Sequence, residues 1–203
     1  MNNKTNFERV SENNKTLIEK ILELIYLKQE GSYWDFKREW YSPDKISNLL
    51  HDILCFANNL INRDCYIIIG VDEEHNYKLC DISRDVNRKS TQNIVDFLKD
   101  KKFAGGIRPI VFVESIIVNG VMLDIIIIKN TFNTPYYLTE RYCNVNQNSI
   151  YTRVFDTNTP LNKSADINNV EYLWRKRFHL DESPLDRMLF YLQKPTDWKV
   201  SPI

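Results

Sequence analysis

The sequence is poor in several features that define whole classes of protein. Its 203 residues include only 5 glycines and 7 prolines, too few for a collagen-like or low-complexity chain. The longest apolar runs, at residues 66–71 and 125–128, are far shorter than the ~18 residues that indicate a membrane span, so we expect no membrane association. The first 15 residues contain no apolar stretch, which predicts that there is no signal peptide. The four cysteines form no Cys-x-x-Cys pair, and we expect reduced thiols and a cytoplasmic location.

An excess of charge of one sign is also absent, since Lys and Arg total 27 and Asp and Glu total 27. This balance excludes a basic surface over the whole chain, so any surface for nucleic acid must be a local patch. No Gly-x-x-x-x-Gly-Lys-Ser/Thr loop occurs, and no ATP site is predicted. The remaining composition, 43% hydrophobic and 27% charged, is typical of a soluble globular domain.

Apolar periodicity predicts helices and strands in mixed order. The expected helices span residues 16–30, 46–60, 90–102, 166–180 and 184–192, and the expected strands span 33–40, 65–71, 110–118, 121–128, 135–137 and 149–153. Asn119-Gly120 between two β-rich runs is typical of a tight hairpin. We therefore predict an α+β fold, a mixed sheet with flanking helices at residues 16–160, and a helical C-terminal extension at 161–203 packed on it.

Three acids and a lysine are placed where strands and helices end. Asp35 and Lys37 share one face of a strand, Asp72 follows the most buried strand, and Glu30 closes the first helix. If the two strands are neighbours, the three carboxylates converge and suit Mg²⁺ or Mn²⁺, which would activate water for phosphodiester cleavage while Lys37 contacts the phosphate. The alternative is an Asp35–Lys37 surface ion pair and a turn at Asp72.

Several segments together resemble the Schlafen AlbA-type domain. They are EGSYWDFK at residues 30–37, ILCFANN at 53–59, YIIIGVDE at 66–73, IRP at 107–109 and IYTRV at 150–154. The resemblance implies a three-carboxylate ribonuclease site acting on structured RNA such as tRNA, with Glu30, Asp35 and Asp72 as metal ligands and Lys37 beside them. Asp35 stands where the family usually has Glu, and Phe155 stands where it has a glycine after Arg153-Val154. No His/Cys cluster is present that matches the zinc site of animal relatives.

Basic residues offer candidate contacts to a nucleic-acid backbone. Arg153 is selected because it lies in a segment of the resemblance, and Lys101, Lys102 and Arg108 lie around the end of the third helix. The alternative for the last three is a solvated helix face, because lysines favour helix C-termini.

Three functions remain open from the sequence. The first is a divalent-metal-dependent endonuclease, acting on RNA more than on DNA. The second is a DNA- or RNA-binding module of a regulator or defence protein. The third is a dimerisation domain, and the single lobe predicts a homodimer by analogy with the paired lobes of animal Schlafen proteins.

Overall fold

A computed structural model describes residues 6–193, with side chains from residue 16 onward. The helices are α1 Asn6–Tyr26, α2 Ile46–Ala57, α3 Thr91–Lys99, α4 Ile167–Arg177 and α5 Pro184–Leu192. The strands are β1 Trp34–Lys37, β2 Cys65–Ile69, β3 Val71–Asp72, β4 Lys78–Leu79, β5 Val111–Val118, β6 Val121–Ile128, β7 Arg153–Val154 and β8 Thr157–Asn158. The predicted α+β fold with a mixed sheet is confirmed.

The main sheet has four strands in the order β1-β2-β6-β5. β1 runs parallel to β2, whereas β2 pairs with β6 and β6 with β5 in antiparallel fashion. Every residue of β2 is buried, as the continuous apolar run predicts for a strand covered on both faces. Side chains of the sheet divide between two apolar cores. Phe36 and Ile68 pack with α1 on one side, and Ile67 and Ile69 pack with α2 on the other.

The hairpin between β5 and β6 forms as predicted. Asn119 and Gly120 have φ angles of 52° and 79°, the two positive values that a tight turn of this kind requires. The strands then pair from Val118 with Val121 to Val111 with Ile128.

A buried asparagine marks the end of α2, three residues earlier than predicted. Asn58 donates from Nδ2 to the carbonyl oxygens of Tyr136 and Tyr151 at 2.8 and 2.9 Å, and its Oδ1 accepts from the Tyr136 amide at 2.7 Å. One amide side chain therefore joins the helix to two loop segments that are distant in sequence. This also explains why the predicted strand at 135–137 is wrong, because the Tyr136 backbone bonds to a side chain instead of a ladder.

The predicted strand at 65–71 is broken at Gly70, which has a φ of 103°. A Cβ atom at Gly70 would lie 2.8 Å from the carbonyl oxygen of Cys80 and 2.6 Å from Leu123 Cδ2, so a glycine is needed here. The chain then forms β3, which pairs with β4. Asp72, which the sequence places directly after the buried strand, is therefore the last residue of the short strand β3.

The last two helices differ in how they pack. α4 buries Leu173, whose carbonyl accepts from Thr134 Oγ1 at 3.0 Å, whereas α5 has no buried residue. The predicted strand at 149–153 is reduced to β7, which pairs only with β8. Residues 194–203 of the predicted extension lie outside the described residues. Within residues 6–193, no helix is both long and apolar enough to cross a bilayer.

Candidate functional site

The candidate site lies on the face of β1 that turns away from α1. Trp34 and Phe36 point into the core beneath α1, so the alternating residues Asp35 and Lys37 point to the opposite face. Asp52 of α2 and Arg153 of β7 lie at the same place. We call Glu30, Asp35, Asp52, Lys37 and Arg153 the carboxylate cluster.

Lys37 lies between two carboxylates of this cluster. Its Nζ is 2.5 Å from Asp35 Oδ2. Burial alone would lower the pKa of Lys37, but the negative charges of Asp35 and Asp52 outweigh burial and raise it. The side chain is still 32% exposed, whereas that of Asp35 is 3% exposed. Lys37 is therefore a firmly charged group that reaches solvent.

Arg153 contacts Glu30 and Asp35 within the cluster. Its guanidinium donates to Glu30 Oε2 at 2.9 Å and to the Gly31 carbonyl at 2.9 Å, and it lies 3.6 Å from Asp35 Oδ1. Its side chain is only 2% exposed. The nucleic-acid contact expected of Arg153 stays a prediction, and the structure gives the guanidinium internal partners instead.

The pKa values of the Glu30 and Asp35 carboxyls are shifted in opposite directions. Burial raises the pKa of Glu30 to about 8, and a hydrogen bond with Asp35 and the charge of that carboxylate act in the same direction. Burial also favours the neutral form of Asp35, but the hydrogen bond from Glu30 and the charges of Lys37 and Arg153 hold its pKa below the ordinary value. The two carboxyls therefore titrate as a pair, and a proton is held more tightly by Glu30 than by Asp35.

Asp52 completes the cluster and was not among the sequence candidates. Its two oxygens accept from the Tyr41 hydroxyl at 2.6 Å and from Asn158 Nδ2 at 2.8 Å. Burial raises the pKa of Asp52, although the charge of Lys37 opposes the shift. The available signal was the pair His51-Asp52, two polar residues within residues 49–57 of the helix, which are otherwise apolar.

The expected convergence of three acids is not seen, because Asp72 lies apart from Glu30 and Asp35. The turn at Gly70 directs Asp72 to other partners, with Oδ2 at 3.0 Å from His75 Nδ1 and 3.5 Å from Arg38 Nε. In the described part of the chain, no three His, Cys, Asp or Glu side chains are grouped so as to hold a metal ion.

The donor set therefore does not fit Mg²⁺ or Mn²⁺ in this arrangement. Lys37 already contacts the Asp35 carboxylate, and Arg153 contacts the carboxylates of Glu30 and Asp35. A divalent cation at this site stays a prediction, and no chemical step is derived through it.

The three basic residues near α3 are in a different place. Lys101 Nζ lies over the rings of Phe97 and Tyr142, at 4.4 and 4.2 Å from their centroids. Lys102 and Arg108 are exposed. None of the three lines the clefts beside the carboxylate cluster.

Two clefts flank the β7–β8 hairpin. The first cleft has a volume of about 510 Å³. It is lined by Lys37, Asp52, Asn158, all of residues 38–42 and 159–161, and Lys45, Asn48 and His51. The second cleft, of about 560 Å³, is lined by residues 29–34, Ile61, Arg63, Phe155 and Asp156. Lys37 lines the first cleft and Glu30 lines the second, so the carboxylate cluster lies between the two clefts.

Phe155 occupies an unusual position at the tip of this hairpin. It is the first of the two turn residues that join β7 to β8, and its φ of 55° falls in the left-handed region. A turn of this kind favours glycine at that position, so a phenylalanine there is strained by roughly 1–3 kcal/mol. Its side chain is 76% exposed, so no internal packing offsets the strain.

Comparison with protein families places these features in context. A family model described as "Schlafen, AlbA_2" matches residues 30–162, which is well over half of the chain. The chain belongs to this family, as the sequence resemblance indicated, and the family supports a nucleic-acid-related function.

Other comparisons add little. The crystal structure of the DIP2311 protein from Corynebacterium diphtheriae is similar at a TM-score of 0.48 and 16% identity, over 94% of this chain and 36% of that one. This chain thus spans about a third of the length of that protein. No curated protein matches the sequence.

Proposed function

We propose that the chain binds nucleic acid, RNA in preference to DNA, and that the first cleft contacts the phosphate backbone. The observation that supports this is the placement of Lys37 at the mouth of that cleft. Its charge is held by Asp35 and Asp52, yet a third of the side chain is exposed. Because the Lys37 ammonium group is already held in place, its side chain does not have to become ordered when it contacts a phosphate.

Two further cations extend the first cleft away from Lys37. The side chain of Arg38 is 65% exposed, and Lys45 is also exposed. Glu39 and Asp52 line the same cleft, so its three cations exceed its two acids by one. The cleft therefore presents a local basic patch on a chain whose net charge is zero.

Binding is tested by fluorescence anisotropy with a labelled tRNA-like RNA hairpin and a DNA duplex, over a series of salt concentrations. Each lost phosphate contact should reduce the salt slope of log Kd by about 1, so Arg38→Ala with Lys45→Ala should reduce it by about 2. Lys78→Ala, at an exposed lysine on β4, is the matched control and should leave the slope unchanged. The proposal is wrong if neither nucleic acid binds, or if the control and the double variant behave alike.

Cleavage of RNA is the second candidate function. A protonated acid beside an ionised one is the arrangement that general acid–base chemistry uses, and Glu30 and Asp35 form such a pair next to Lys37. The bound RNA should be incubated with Mn²⁺ and with EDTA, using the wild type, Asp35→Asn and Asp72→Asn.

The outcomes of this assay separate the mechanisms. Cleavage that needs Mn²⁺ and is lost in Asp72→Asn would support the three-carboxylate site. Cleavage that survives EDTA but is lost in Asp35→Asn would support metal-independent proton transfer. Binding without cleavage in any condition would leave a non-catalytic binding module. Light scattering on the same sample tests the predicted homodimer, which a strict monomer would contradict.

A further inference from the structure

The second cleft carries chemistry that the phosphate-binding proposal does not use. Its wall includes the rings of Tyr33 and Trp34, which meet edge to face with centroids 4.5 Å apart. The guanidinium of Arg63 lies 3.7 Å above the centroid of the Tyr33 ring. Arg63 is exposed, so this stacked pair presents a flat, cationic surface to the cleft.

Phe155 adds a second flat surface at the rim of the same cleft. The hairpin tip holds it 76% exposed, in a backbone conformation that favours glycine. A glycine would fit the turn better, and the ring is too exposed to stabilise the core. The side chain therefore has no structural role that accounts for its presence, whereas a ligand in the cleft would cover it.

Hydrogen-bonding groups line the same cleft. The Glu30 side chain is 19% exposed and reaches the cleft wall, and Asp156 lies beside Phe155 at the rim. Aromatic faces, a stacked guanidinium and a few polar groups are the combination that proteins use for unstacked bases of single strands. A volume of about 560 Å³ is within the range of small-ligand sites and has room for one base with its sugar.

We propose that the second cleft holds an unpaired nucleobase of the bound strand, with Phe155 and the Arg63–Tyr33 pair as its stacking surfaces. This inference rests on the proposed function, since the same strand contacts the first cleft. The β7–β8 hairpin connects the two clefts, because Asn158 lines the first cleft while Phe155 and Asp156 line the second. A strand that crosses the hairpin thus places its backbone at Lys37 and a base beside Phe155.

The test compares Phe155→Gly with Phe155→Tyr, using fluorescein-labelled 12-nucleotide single strands of RNA and of DNA. Loss of one stacked base should weaken single-strand binding roughly 5- to 150-fold in Phe155→Gly, whereas Phe155→Tyr keeps a ring and should bind like the wild type. Phe112→Ala removes another exposed ring, 43% exposed on β5, and is the matched control. Thermal unfolding of Phe155→Gly should occur at an unchanged or higher temperature, because glycine relieves the strained φ.

A strand with abasic sites identifies the contact as one to a base. Wild type and Phe155→Gly should bind the fully abasic RNA backbone equally, since no base is left to stack. An equal loss on normal and abasic strands would overturn the inference, because it would show that the variant disturbs the backbone contacts. Unchanged single-strand affinity in Phe155→Gly would overturn it as well.

The same measurements distinguish failure of this inference from failure of the proposed function. If Arg38→Ala with Lys45→Ala weakens binding and Phe155→Gly does not, the phosphate cleft stands and the base site is wrong. If the wild type binds no strand at all, the proposed function and the base site are both wrong. Parallel results with RNA and DNA would show that the base, not the sugar, is recognised.

Discussion

The buried carboxylate of Asp124 and the carboxylate cluster are built in opposite ways. Asp124 of β6 is 1% exposed and accepts from Trp40 Nε1 at 2.8 Å, from Arg88 Nε and a terminal nitrogen at 2.9 Å each, and from Ser115 Oγ at 2.6 Å. Burial favours its neutral form, but these donors outweigh burial and lower the pKa of Asp124. One carboxylate is thus matched by a full set of donors.

The acids of the carboxylate cluster are not matched by a full set of donors in this way. Glu30, Asp35 and Asp52 share the two cations Lys37 and Arg153, and the pKa values of Glu30 and Asp52 are raised by burial. A balanced site only stabilises the fold, whereas a site with excess acid retains a proton and exposes a lysine. This imbalance distinguishes the candidate functional carboxylates from the structural one.

The largest expected effect is at the balanced site. Asp124→Asn leaves Arg88 and Trp40 with a poorer acceptor, and breaking a buried pair of this kind should lower the free energy of unfolding by about 3–5 kcal/mol. Urea denaturation at pH 7 measures it. The exposed Asp100→Asn is the control and should change stability by less than about 0.5 kcal/mol. Equal losses in the free energy of unfolding for Asp124→Asn and Asp100→Asn would contradict the structural role of Asp124.

The next effect is at the cation that supports the cluster. Arg153→Met removes the guanidinium, which also lies 4.9 Å from the centroid of the Phe56 ring, and leaves Glu30 and Asp35 with one cation, so the free energy of unfolding should fall by about 2–4 kcal/mol. The loss should be larger at pH 8 than at pH 5. More of the acid side chains are ionised at pH 8, and the one remaining cation compensates for their negative charge less well. Exposed Arg141→Met should show no such dependence on pH, and the same loss at both pH values would contradict the prediction.

The smallest expected effect is a pH dependence of stability, and the pKa shift of Glu30 fixes its sign. Because the pKa of Glu30 rises from 4.5 to about 8 on folding, the folded protein keeps a proton that the unfolded chain releases, and stability falls as pH rises through that window. Glu30→Gln removes this dependence. After allowance for solvent screening, we expect a gain of about 1 kcal/mol at pH 8 and none near pH 4.5.

Parallel urea titrations of wild type, Glu30→Gln and the exposed control Glu74→Gln, from pH 4.5 to 8, decide the matter. The control should follow the wild type throughout. If Glu30→Gln also follows it, the proton is not on Glu30.

The elements that local patterns specify were predictable, and those that depend on distant contacts were not. Asn119-Gly120 fixes its hairpin through the φ angles of two adjacent residues, and the apolar run of β2 fixes a central strand. The break at Gly70 depends on the approach of Cys80, and Asp72 is displaced from the other acids as a result. The pattern of residue types alone does not show that Cys80 comes close to Gly70.

The candidate site shows the same division. Spacing along one strand was enough to place Asp35 beside Lys37. The partners of Glu30 were not predictable, because Arg153 lies 123 residues away along the chain. Asp52 was missed for a similar reason, since its importance depends on Tyr41, Asn158 and Lys37 meeting it from three different segments.

The Asn119-Gly120 turn has a practical consequence for such measurements. Both residues are exposed, a Cβ atom on Gly120 would meet nothing within 4 Å, and neither cleft is lined by a residue of that hairpin. A short affinity peptide placed at this exposed turn would lie away from both clefts. The turn is therefore a suitable anchoring point for attaching the protein to a sensor surface.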